Sequence, residues 1–209
     1  MKLYFVRHGE STANLLNEIS NRGLKLGLTE KGKRQASVLA RKLKGLPIIR
    51  VFSSPLLRAV QTAEILAREW GLAFETADAL REYDCGILEG KSDAASWQRH
   101  REVYEAWVWR REWEKRLEQG ESFVDIRRRF VPFIEELIQR HQGQDGGIVL
   151  VGHGGTYRCM LPLIMDNIDL HFAMRHPIGH TVAIVAKVRP AGLFCLEWGE
   201  TQPGQVRHL

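Results

Sequence analysis

The chain has 209 residues, of which 44% are hydrophobic and 26% charged, values that exclude a disordered or fibrous protein. A chain of this length buries roughly 70% of its unfolded surface, enough for one core without disulfide staples. Thirty Lys and Arg against 25 Asp and Glu leave a net charge of +5, which suits an anionic partner without choosing between nucleic acid and a phosphorylated small molecule.

No apolar run approaches the ~18 residues that span a bilayer, so no membrane partner is expected. The opening MKLYFVRHGE holds too few apolar residues for a signal-peptide core. Cys85, Cys159 and Cys195 share no metal-type spacing, and together these features predict a cytoplasmic protein.

In chain order, residues 2–6 read as a buried strand. Residues 30–44 carry Ala36, Leu39, Ala40 and Leu43 at helical spacing behind Thr29, a suitable N-cap. Pro47 ends that helix and 48–53 is a second strand; Ser54 and Pro55 then read as the N-cap and first turn of a helix to about Trp70. A short strand at 72–75 precedes a polar, Arg-, Glu- and Trp-rich helical stretch at 92–118. Residues 122–141 form a helix with Ile126, Phe130, Phe133, Ile134, Leu137 and Ile138 on one face. Strand 147–152, a helix from about Thr156 to Met165, and strands at 181–188 and 193–198 complete the chain. This alternation predicts an α/β protein, a three-layer α/β/α sandwich on a mostly parallel central sheet. Residues 1–209 are expected to form one domain with a helical insertion at about 91–121.

In such sheets ligands sit beyond the carboxyl ends of the strands, so the strand-to-helix junctions carry the chemistry. After the first strand comes Arg7-His8-Gly9 with Asn14 close behind. After the second comes Ser53-Ser54-Pro55 with Arg58, and after 147–152 comes His153-Gly154-Gly155. Two imidazoles, two guanidinium forks, an amide and glycine-rich helix starts on one sheet edge would cradle a tetrahedral dianion. A neutral imidazole whose other nitrogen donates to a carbonyl is a competent nucleophile toward phosphorus. The leaving alkoxide needs a carboxylic acid, and Glu82 or Asp84 in 80–90 can supply it.

These residues resemble the histidine phosphatase superfamily, the phosphoglycerate mutase-like proteins. The resemblance runs through RHGES with Asn14, LTEKGKRQA at 28–36, SSPLLRAVQTA at 53–63, LREYDCGILEG at 80–90, GES at 120–122 and VGHGG at 151–155. It implies His8 as the residue that becomes phosphohistidine and Glu82 as the proton donor. Arg7, Asn14, Arg58 and His153 would form the phosphate pocket, with the Gly154 amide as a further donor. No cofactor and no metal are implied, and the partner is a small phosphomonoester; relatives occur as monomers and homodimers. Ala13 stands where mutases usually carry Trp, and the stretch between Asn14 and Leu28 lacks their usual wording. These departures favour a phosphatase over a mutase.

The remaining histidines (His100, His141, His171, His176, His180 and His208) read as surface or packing residues; Glu10, Ser11 and Arg22 read first as structural, with contact to substrate or to the residues that hold it as the second reading. Trp97, Tyr104, Trp107 and Arg111 fall on one face of the 92–118 stretch. That face is expected to pack on the core, with a lid over the site as the second reading. A nucleic-acid role for the interleaved Arg and Trp ranks below both.

Overall fold

A computed structural model describes residues 1–22 and 25–203. The strands are β1 (Lys2–Arg7), β2 (Ile48–Ser53), β3 (Phe74–Thr76), β4 (Gly147–Gly152), β5 (Ala183–Arg189) and β6 (Gly192–Trp198). They form one sheet in the order β3-β2-β4-β1-β5-β6. β1 to β4 run parallel, β5 pairs antiparallel with β1, and β6 antiparallel with β5.

Successive strand residues face opposite sides, and here each side meets helices. Tyr4 and Val6 of β1 and Val149 and Val151 of β4 pack with Leu39, Ala63 and Leu66. Those partners come from α2 (Glu30–Lys42) and α3 (Leu57–Trp70). Leu3, Phe5, Ile148 and Leu150 face the other cluster, with Trp107, Phe130, Ile134 and Tyr157. Its helices include α4 (Ala94–Arg110), α5 (Phe123–Arg140) and α6 (Gly154–Ile164). The result is the three-layer α/β/α architecture, and β4, buried along its whole length, is its axis. A one-turn helix, Thr12–Leu15, and a short one, Leu170–Arg175, complete the set. The second is labelled α7 below; its six residues are too few to show a helical period in the sequence.

Three local expectations change. The 92–118 stretch is not one helix: α4 stops at Arg110, and Arg111 takes a left-handed cap with φ of 56°. Arg111 therefore leaves the face it was assigned to, while Trp113 turns back to pack on Phe123 at 4.7 Å between ring centroids. α6 starts at Gly154 rather than Thr156. Ser54 does not cap α3, whose N-cap is Leu56; the Ser54 hydroxyl accepts the Leu56 N–H at 3.2 Å in a tight turn. Among the described residues no helix is long and apolar enough to cross a membrane.

Candidate active site

The carboxyl ends of β1, β2 and β4 bring the three junctions together through the sheet's own ladder. His8 N–H donates to the Gly152 carbonyl at 3.0 Å, and Ser54 N–H to that of Val151 at 2.8 Å. The loop after β1 stays low because Gly9 and Gly32 pack backbone to backbone; a Cβ on Gly9 would meet the Gly32 carbonyl oxygen at 2.5 Å. This accounts for the glycine in LTEKG at the start of α2.

His8 is buried, with Nδ1 2.7 Å from the Gly9 carbonyl. A carbonyl only accepts, so Nδ1 carries the proton and Nε2 the lone pair. Arg58 Nε donates to that Nε2 at 3.1 Å, and its Nη2 donates to the Ser20 carbonyl at 2.8 Å. Arg58 Nη1 is buried with no hydrogen-bond partner. The imidazole of His153 lies 5.0 Å from that of His8, centroid to centroid. Its Nε2 meets the Ser54 hydroxyl at 2.8 Å, while its Nδ1, like Arg58 Nη1, is buried without a partner among the described residues. Burial, then the Arg58 guanidinium, holds both histidines well below the usual imidazole range, with Arg7 adding to the effect. Both rings are neutral at neutral pH. Two buried polar atoms in need of a partner, set about a neutral imidazole, are what an incoming oxyanion would satisfy.

Arg7 donates from Nη1 to the Ile178 carbonyl at 2.7 Å and lines the same cavity as His8 and Arg58. Asn14 Oδ1 accepts Ser11 N–H at 3.0 Å and the Ser11 hydroxyl at 2.8 Å, a capping box for the one-turn helix. His180 Nε2 lies 3.1 Å from the same oxygen. With Oδ1 committed to donors, the Asn14 amide NH2 is the end left for a ligand. His180, assigned to the surface by sequence, thus belongs to the site: its ring is 6.0 Å from that of His8. Burial and Arg7 push it down to about 4. A lone Gly-His-Thr before a strand carried no signal that could have found it.

Glu82 rather than Asp84 reaches the cavity. Asp84 is 2.7 Å from Arg22 and accepts the Gly86 N–H, a structural pairing. Glu82 accepts Gly155 N–H at 2.9 Å, Thr156 N–H at 2.6 Å and the Thr156 hydroxyl at 2.9 Å, at the N-terminus of α6. Gly155 permits this approach, since a Cβ there would lie 2.8 Å from Glu82 Oε1 and 2.5 Å from the Tyr83 ring. Gly154 lines the cavity beside the Arg7 side chain, but the amides that hold Glu82 are those of Gly155 and Thr156.

The cavity measures about 550 Å³ and extends past Glu82 along α4, where Trp97, His100 and Tyr104 line it. His100 was also missed: the Tyr83 hydroxyl meets its Nε2 at 2.6 Å, and burial holds its pKa below the usual value. Along α4, Trp107 is fully buried in the core, while Trp97 and Tyr104 line the cavity wall. His171 and His176 stack on Trp109 and Phe172, and His141 meets Gln144; His208 lies outside the described residues.

A probable phosphoglycerate mutase from Cronobacter sakazakii is 33% identical over 172 residues, 79% of this chain and 75% of the relative. The rat bifunctional 6-phosphofructo-2-kinase/fructose-2,6-bisphosphatase 1 is 31% identical over 170 residues, which span 33% of that protein. Among solved structures, a mycobacterial glucosyl-3-phosphoglycerate phosphatase superposes with a TM-score of 0.81 at 24% identity, covering 96% of this chain and 99% of that one. A phosphoserine phosphatase from Entamoeba histolytica, bound to 3-phosphoglyceric acid, gives 0.78 at 22%, covering 96% and 98%. The family model for the histidine phosphatase superfamily, branch 1, matches residues 3–201, and the chain belongs to that superfamily.

Proposed function

We propose that this chain hydrolyses small phosphomonoesters through a phosphohistidine at His8. One observation carries the reading: the proton of His8 is fixed on Nδ1 by the Gly9 carbonyl, so Nε2 offers its lone pair beside Arg58. Arg7, Arg58, the Asn14 amide and His153 bind the phosphoryl oxygens, with the Gly154 amide as a further donor. Nε2 attacks phosphorus in line, the ester P–O bond breaks, and Glu82 gives its proton to the leaving alkoxide. Water then attacks the phosphorus of phosphohistidine, Glu82 takes a proton from it, the P–N bond breaks and inorganic phosphate leaves. The chemistry asks for no cofactor and no metal. Residues 1–209 act as one domain, α4 walls the leaving-group side, and the protein works in the cytoplasm.

Acid-labile, base-stable phosphate is expected on His8 after mixing with substrate. A His8→Ala protein that releases phosphate from p-nitrophenyl phosphate at the wild-type rate would end the reading. Similarity to a probable phosphoglycerate mutase supports a second reading, transfer within phosphoglycerate. Interconversion of 3- and 2-phosphoglycerate without free phosphate would select it.

A further inference from the structure

The loop between α7 and β5, residues 176–182, is bonded both to Arg7 and to Asn14. The Ile178 carbonyl accepts Arg7 Nη1 at 2.7 Å. Thr181 N–H donates to the Arg7 carbonyl at 2.9 Å, and Arg7 N–H to the Val182 carbonyl at 3.2 Å. Between these ties His180 Nε2 lies 3.1 Å from Asn14 Oδ1, a contact across 166 positions of the chain.

A backbone N–H only donates, so the Ser11 N–H fixes which end of the Asn14 amide faces it: the oxygen. His180 meets that same oxygen, so its Nε2 carries the hydrogen and its Nδ1 the lone pair. Burial and the Arg7 guanidinium keep the ring neutral at neutral pH, which leaves this Nε2–H as its one ring donor. The Ser11 donors belong to the same turn as Asn14 and move with it, and a four-residue helix has little stability of its own. His180 instead fixes the amide against the entry to β5, the strand that pairs with β1 beside His8. A hydrogen bond received by the oxygen also polarises the amide and strengthens its NH2 as a donor.

The backbone beside His180 carries strain. Thr181 has a φ of 55°, in the left-handed region that a β-branched residue rarely enters. Such residues persist where their surroundings over-determine them, and they cluster at functional sites. Here the strained residue is pinned between the Arg7 carbonyl and the His180 carbonyl, which accepts its hydroxyl at 2.7 Å.

We propose that His180 is a positioning residue for phosphoryl binding and transfer, its Nε2–H orienting and polarising the Asn14 amide so that the NH2 meets a phosphoryl oxygen at His8. The strained turn at Thr181 aims the ring, and His180 acts through Asn14 rather than on the substrate. The inference rests on the phosphate pocket of the proposed function, and its binding arm needs no turnover.

The test compares His180→Phe, which keeps a ring and loses the donor, with His180→Gln, whose amide NH2 can donate to the same oxygen. His180→Phe should lower kcat/KM for p-nitrophenyl phosphate, and weaken inorganic phosphate in titration calorimetry, each by about tenfold. His180→Gln should keep both within about threefold of wild type. On an Asn14→Ala background the same His180→Phe change should cost less than about twofold. A merely structural role gives equal losses on both backgrounds and no rescue by glutamine, and either result overturns the proposal, as does a His180→Phe protein with wild-type activity. Should His180→Phe fail to fold, the wild-type protein decides: two-bond proton–nitrogen correlations of the His180 ring should show the Nε2–H tautomer, and an Nδ1–H ring overturns the proposal. If wild type releases no phosphate from p-nitrophenyl phosphate while inorganic phosphate shows the coupling to Asn14, hydrolysis fails as a reading and the positioning role stands. If hydrolysis proceeds and the coupling is absent, the positioning role alone fails.

Discussion

Arg58 Nε stands 3.1 Å from His8 Nε2, the one nitrogen of that ring with a lone pair to give. The arrangement couples the basicity of the imidazole to the cation beside it. Burial lowers His8 most, and Arg58 is the largest charge contribution. Arg58→Gln should move the acid limb of kcat/KM toward higher pH, because a ring relieved of its neighbour protonates sooner. On the proposed mechanism the same change removes a phosphate donor and should cost about 10²–10³ in rate. A pH profile with an unmoved acid limb would contradict the coupling.

Glu82 gives a leaving-group signature. Glu82→Gln keeps the shape of the acceptor but cannot supply a proton. Loss in kcat/KM of about 10²–10⁴ is expected for alkyl esters. The loss should be far smaller for p-nitrophenyl phosphate, whose leaving group departs as a stable anion. Equal losses on both would mean that another group protonates the leaving oxygen.

Gly155 should tolerate no side chain. The methyl of Gly155→Ala would overlap the Tyr83 ring and crowd both Glu82 oxygens, displacing the carboxyl group from its seat on α6. Displacement of about 1 Å costs on the order of 10² in rate. Kinetics together with thermal melting check it: an active, unshifted variant would show that the seat is slack.

Stability should fall in mild acid. The folded-state pKa values of His8 and His153 are depressed, so both rings stay neutral in the fold while an unfolded chain protonates them below about 6.5. Their contribution is intact above that pH and is lost as pH falls toward the folded values. Each ring adds a slope of up to about 1.4 kcal/mol per pH unit in that window. Urea midpoints at pH 7.5, 6.5 and 5.5 should drop across both intervals on this account, and more steeply across the last. His153→Asn should flatten the drop.

Much of this was legible in the residues. Apolar strands closed by Arg-His-Gly, Ser-Ser-Pro and His-Gly-Gly announce where the sheet ends and what stands there, because strand and helix periodicities are local. His180 and His100 were not legible. Each owes its place to a single long-range bond, His180 to Asn14 and His100 to Tyr83, and neither sits in a patterned setting. Ser54 was visible but misread: its sequence context is that of a helix cap, whereas its hydroxyl meets His153, 99 positions away.

Because β4 lies between β1 and β2, the strands at 2–7 and 48–53 share no ladder with each other. During synthesis β2, already beside β3, must wait with one edge unpaired and β1 with both, until residues 147–152 leave the ribosome. His8, made among the first ten residues, meets the imidazole of His153 only after almost three quarters of the chain exists. A nascent fragment released before that point carries the unpaired edges of both strands, each open to pairing with another chain.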